Sequence, residues 1–135
     1  MRAPLRAVKF PVVFSFYIGS ENMVLVSGNS ISISRKNSAV IDFCLQNSDG
    51  TAFEPTAGDK VIFSVKKWVM LDSFLLQKEK SPTYEGVVSF DFEAAELDLP
   101  AGQYVYDLKI FHSDGREETL INPSTFEIIE VVNHD

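Results

Sequence analysis

The sequence predicts an all-β, immunoglobulin-like antiparallel β-sandwich of about seven strands. Three observations carry that prediction. Short apolar–polar alternations recur along the chain. Turn signals separate them at intervals of roughly 8–15 residues, and no amphipathic helical run of about ten residues interrupts them. Of the 135 residues, 45% are apolar and 23% charged, and 11 are Phe, a residue suited to pleated, half-buried surfaces. One domain of this length buries a sufficient core without disulfides.

The alternation places each strand. Ile31 and Ile33 alternate with serines over residues 30–34, and Arg35-Lys36-Asn37-Ser38 is a polar turn. Residues 39–46 put Ile41, Phe43 and Leu45 on one face, and Asn47-Ser48-Asp49-Gly50 ends that strand with a tight-turn signal. Residues 51–58, with Pro55 and Gly58, form a loop. Residues 60–66 direct Val61, Phe63 and Val65 one way, and a shorter strand over residues 74–78 stops at Ser81-Pro82. Residues 86–92 turn Val88, Phe90 and Phe92 inward, and residues 93–97 suit one helical turn.

Residues 103–111 form the longest strand, with Tyr104, Tyr106, Leu108 and Ile110 on one face. A hairpin-type turn at Ser113-Asp114-Gly115-Arg116 leads to two last strands, residues 118–122 and 125–132, split by Pro123. The expected core is Ile41, Phe43, Phe63, Val65, Phe90, Phe92, Tyr106, Leu108, Phe126 and Ile128. Leu99-Pro100-Ala101-Gly102-Gln103-Tyr104 is laid out like a tyrosine corner, in which a Tyr opening a late strand bonds its hydroxyl back to nearby backbone.

Chemistry is sparse. A net charge of −7 repels phosphate backbones and anionic membranes, so neither nucleic acid nor membrane is an expected partner. The single cysteine, Cys44, reads as a small, half-buried strand residue. No metal and no cofactor is expected. His112, Ser113 and Asp114 name a catalytic triad on paper, but three sequence neighbours do not converge as nucleophile, base and orienter. Their turn signal predicts a solvated loop. Asp91, Glu93, Glu96, Asp98, Glu117 and Glu118 fall in turns or at outward positions, and the chain is expected not to be an enzyme. The one basic-aromatic cluster is Lys66-Lys67-Trp68. Either Trp68 faces solvent as an anchor for a partner or a sugar ring, or it caps the sandwich edge beside Val69 and Met70.

Residues 1–22 stand apart from the domain at residues 23–135. They open with Arg2, Arg6 and Lys9, then turn apolar from Phe10 to Ile18. Three readings fit: a secretory signal segment, an added edge strand in which Val12, Phe14 and Phe16 alternate with their neighbours, or an artefact of gene calling with translation starting at Met23.

The ordered set of strands and turns has a further likeness. It comprises Ile31-Ser32-Ile33-Ser34-Arg35-Lys36-Asn37-Ser38, Asp49-Gly50, and Gly58-Asp59-Lys60-Val61-Ile62-Phe63-Ser64-Val65-Lys66-Lys67. After these come Leu99-Pro100-Ala101-Gly102-Gln103-Tyr104-Val105-Tyr106-Asp107-Leu108, Asp114-Gly115, Thr119-Leu120-Ile121 and Ser124-Thr125-Phe126-Glu127-Ile128. Together, over residues 23–132, these resemble the N-terminal domain of phage baseplate upper proteins. The chain departs from that pattern at Asn37-Ser38, where the family often has Gly-Asp, and in ending at Asp135, where longer members continue into a linker and a receptor-binding or coiled-coil part.

The resemblance implies a phage or prophage virion structural protein without catalytic residues, located in the tail and, during assembly, in the host cytoplasm. Its expected partners are other tail or baseplate proteins, with copies of the chain as a homo-oligomer in a symmetric ring, and an adaptor or decoration role fits its length. The alternative is an extracellular carbohydrate- or protein-binding module of a bacterial surface.

Overall fold

Alternating apolar residues become two facing sheets in a computed structural model of the chain. It describes residues 12–17, 24–27, 30–45, 53–83 and 86–130, with the backbone alone for the first two stretches. The strands are β1 (Val12–Tyr17), β2 (Val24–Ser27), β3 (Ser30–Ser34), β4 (Ala39–Leu45), β5 (Lys60–Lys66), β6 (Leu76–Lys80), β7 (Val87–Phe92), β8 (Gly102–Phe111) and β9 (Glu117–Ile129). The smaller sheet has the order β1-β4-β7, and the larger has β2-β3-β9-β8-β5-β6. The fold is an immunoglobulin-like β-sandwich, with nine described strands where about seven were expected.

The core lies between the sheets, and all ten residues expected there are buried. Phe63 occupies its centre. Its ring meets those of Phe43, Phe90, Phe92, Tyr106 and Phe126 at centroid distances of 6.1, 5.7, 5.4, 5.2 and 5.9 Å, with Tyr106 stacked and the others tilted or edge-on. These are the separations aromatic pairs prefer. Burial pushes the Tyr106 phenol above its ordinary pKa. The tyrosine corner forms as the sequence predicts: Tyr104 donates its hydroxyl to the Pro100 carbonyl at 2.5 Å.

Several details differ from expectation. The strands are not all antiparallel, because β3 runs parallel to β9, with Ile31 opposite Phe126 and Ile33 opposite Ile128. Pro123 does not split the last strand. Instead β9 continues through it with a register shift: Tyr106 pairs with Ser124 and Leu108 with Ile121, so Asn122 and Pro123 fall opposite Asp107. Such a bulge needs no N–H from Pro123 for the ladder. The sixth strand begins at Leu76, opposite Val65, so Phe74 and Leu75 belong to the preceding loop. The turn expected at residues 47–50 lies outside the described residues.

Of the opening segment, residues 12–17 form β1 and pair antiparallel with β4, from Val12 opposite Leu45 to Tyr17 opposite Val40. Two ion-pair clusters brace the sandwich on the side of the β3–β4 turn. Arg35 reaches Asp98 at 3.0 Å and Glu130 at 2.9 Å. Lys78 reaches Glu96 at 2.7 Å. The N–H of Glu93, and then Lys78, hold the Glu96 carboxyl below its ordinary pKa.

Candidate partner-binding surface

The connection between β5 and β6 leaves the sandwich and carries its apolar side chains outward. Among the described residues eight large apolar side chains are exposed, and six of them are Trp68, Val69, Met70, Leu71, Phe74 and Leu75. Trp68 is 64% exposed and Met70 87%. The loop has defined geometry. Leu71 N–H donates to the Trp68 carbonyl at 3.2 Å, which places Val69 and Met70 at the tip, and Leu75 N–H returns to the Val65 carbonyl at 2.8 Å. Of the two sequence readings of Trp68, the solvent-facing one describes its position.

The sequence-predicted site residues flank this loop. Lys66 ends β5 and places its ammonium 4.9 Å from the centre of the Phe74 ring, and Lys67 lies 5.2 Å from that of Tyr104. Both are cation–π contacts. Beside the loop, Ser64, Lys66, Val69, Val105, Asp107 and Pro123 line a cleft of about 30 Å³, room for a single water-sized occupant. Burial raises the pKa of the Asp107 carboxyl at the bulge, against the opposing charges of Lys109 and Lys66.

The opposite end of the sandwich corrects the solvated-loop expectation for His112. Its side chain is 3% exposed, with Nε2 2.5 Å from Oε2 of Glu118, and its ring meets that of Phe53 edge-on at 6.4 Å. His112 continues the inward parity of Tyr104, Tyr106, Leu108 and Ile110, and that parity was the signal available in the sequence. Glu118 is accordingly half-buried and paired, and Glu96 likewise is not a free solvated carboxylate. Ser113 and Asp114 turn elsewhere. Ser113 N–H donates to Asp59 at 2.8 Å, and Asp114 accepts from Arg116. The three neighbours thus have three separate partners.

Asp59, 2% exposed, is a clasp at this end of the sandwich, away from the apolar loop, and no local signal in the sequence marks it. Its carboxylate also accepts from Thr56 N–H at 2.7 Å, fixing residues 53–59 to the β8–β9 turn. Gly58 permits the close approach: its φ is +95°, and a Cβ there would meet that of Ser113 at 3.1 Å.

These contacts give His112 a structural role with a measurable weight. His112→Ala leaves the Glu118 carboxylate unpaired beside a new void against Phe53, and is expected to cost about 2–3 kcal/mol. Glu118→Gln keeps an acceptor and is expected to cost about 1 kcal/mol. Urea denaturation of both variants checks this, and a parental midpoint for His112→Ala would refute it.

No protein-family model and no curated protein matches the chain. Among solved structures, the soluble domain of PmoD from Methylocystis sp. ATCC 49242 (Rockwell) is similar over 91% of this chain and 97% of its own. Its sequence identity is 13% and its TM-score 0.52. CopC from Methylosinus trichosporium OB3b shares 15% identity over 85% of this chain and 100% of its own, with a TM-score of 0.45. Murine CRIg shares 11% over 82% and 99%, with a TM-score of 0.39. At such identities the likeness to the PmoD domain is one of fold alone. None of the three is a phage baseplate protein. Among the described residues no group of three or more His, Cys, Asp or Glu side chains is placed to hold a metal ion, and Cys44 lies half-buried on β4.

Proposed function

We propose that the chain is a phage or prophage virion structural protein, a tail or baseplate component acting as a protein–protein assembly module. One observation carries the assembly role: among the described residues, six of the eight exposed large apolar side chains gather in the loop between β5 and β6. Exposed apolar clusters on a rigid scaffold mark interaction surfaces, and Trp is among the residues that dominate interface energetics. The two sheets and the stacked core hold that loop at a fixed place. The likeness of residues 23–132 to the N-terminal domain of baseplate upper proteins supports tail or baseplate proteins as its partners. No catalytic step enters this reading.

Mass spectrometry of purified virions tests it. The chain is expected in the tail fraction, and a chain carrying Trp68→Ser, Met70→Ser and Phe74→Ser is expected to fold but stay out of the particle. Absence of the parent chain from virions, or normal incorporation of the variant, would overturn the proposal. Saturable binding of a glycan through Trp68, with no incorporation into virions, would favour the extracellular module.

A further inference from the structure

The loop between β5 and β6 sets charges that form no ion pair directly beside its exposed apolar tip; Lys36 and Lys80, which also form none among the described residues, have no such apolar neighbours. Arg35, Lys60, Lys78, Lys109 and Arg116 each hold a carboxylate. Among the described residues, Lys66 and Lys67 form no ion pair and lie over rings instead. Asp72, exposed beyond the apolar tip, forms none either. The loop therefore presents two cations before its apolar tip and one anion after it, with all three available to another molecule.

We propose that this loop joins two copies of the chain about a two-fold axis. Trp68, Met70 and Phe74 of each copy meet across the axis, and Lys66 and Lys67 of each face Asp72 of the other. The inference rests on reading the loop as an assembly surface and adds the identity of one partner. A two-fold contact presents the same patch twice, so a residue meeting a second residue is met by it in return. A segment with cations at one end and an anion at the other satisfies that condition with itself.

Net charge supports the same occupant. A chain of net charge −7 repels its own copies over most of its surface. Repulsion is lessened where cations form no ion pair, and beside the apolar tip Lys66 and Lys67 are two such cations. The apolar tip then supplies aromatic and Met anchors of the kind that enrich interface centres. A lipid surface suits the loop less, because Asp72 and Ser73 interrupt the apolar run and the acidic chain is repelled by anionic headgroups. Such a pair is itself a unit from which a larger ring can be built.

Sedimentation equilibrium of the full chain tests the proposal, with Trp68 as a built-in reporter because it is the only tryptophan. Association to a dimer is expected as concentration rises, together with a blue shift of Trp68 emission. The chain with Met70→Ser and Phe74→Ser, both exposed positions, is expected to melt as the parent does and to remain monomeric. Asp72→Lys is expected to weaken association about tenfold, and adding Lys66→Asp and Lys67→Asp to it is expected to restore the dimer.

Three results would overturn the proposal: a parent chain that stays monomeric, a Met70→Ser, Phe74→Ser chain that still pairs, or a charge exchange that fails to restore pairing. A shift of Trp68 emission on adding phosphatidylglycerol vesicles, without any shift from self-association, would do so in favour of a lipid surface. A monomeric parent chain that still enters virions would refute the pairing alone and leave the assembly role standing.

Discussion

Phe63→Ala is expected to be the most damaging single substitution in the core, at about 3–5 kcal/mol. The cost has two sources. Removing a fully buried phenyl ring forfeits its transfer free energy, and the surrounding rings relax only partly into the void. Phe63 also stands in ring contact with Phe43, Phe90, Phe92, Tyr106 and Phe126, residues drawn from both sheets. Aromatic pairs add about 0.5–1.5 kcal/mol beyond the area they bury, although several pairs sharing one ring do not simply add. Against a total stability of about 5–15 kcal/mol, the substitution leaves the domain marginal. Val105→Ala is the control. Val105 points outward from the neighbouring strand β8 and is half-buried, so it is expected to cost well under half as much. Urea denaturation of both variants decides the point, since equal losses would mean that the inward register of β5 and β8 is wrong.

That register was readable from the sequence because it rests on period two alone. Val61, Phe63 and Val65, then Tyr104, Tyr106, Leu108 and Ile110, alternate without interruption, and a slip of one residue would turn every one of them to solvent. The tyrosine corner was readable because its donor and acceptor are four residues apart. Features that depend on distant partners were not. Nothing local to residues 30–34 announces a parallel pairing with residues 126–129. Pro123 reads as a strand breaker until the bulge opposite Asp107 removes the need for its N–H.

The site shows the same division. Lys66, Lys67 and Trp68 stand out in the sequence as a basic-aromatic cluster, but composition alone fits Trp68 equally as exposed anchor and as edge cap. Val69, Met70, Leu71, Phe74 and Leu75 were legible as apolar without any sign that they leave the core. The turn signal after His112 predicts a solvated side chain, whereas strand parity carries it inward to Glu118 and Phe53. Local turn chemistry sets where a chain reverses; the parity of the strand before it sets which way the last side chain points.

A chain beginning at Met23 is expected to melt more than about 10 °C below the full chain and to aggregate. Deleting residues 1–22 removes β1, whose six residues pair with β4 from Val12 opposite Leu45 to Tyr17 opposite Val40. Without it, β4 becomes an edge strand whose sequence, Val40-Ile41-Asp42-Phe43-Cys44-Leu45, is apolar apart from Asp42. Unpaired N–H and C=O groups along such a strand are a template for pairing with other chains, and neither Lys nor Pro is present to blunt it. The smaller sheet would also shrink from three strands to the β4–β7 pair, and two strands are marginal without further cover. If instead residues 1–22 lie outside the native protein, the shorter chain should stay soluble and melt within a few degrees of the longer one, because dispensable termini carry little of a fold's stability. Thermal melts and light scattering on both chains separate the two accounts. A shift of that size corresponds to more than about 1 kcal/mol, which the loss of six paired residues beside a newly bared apolar edge readily exceeds.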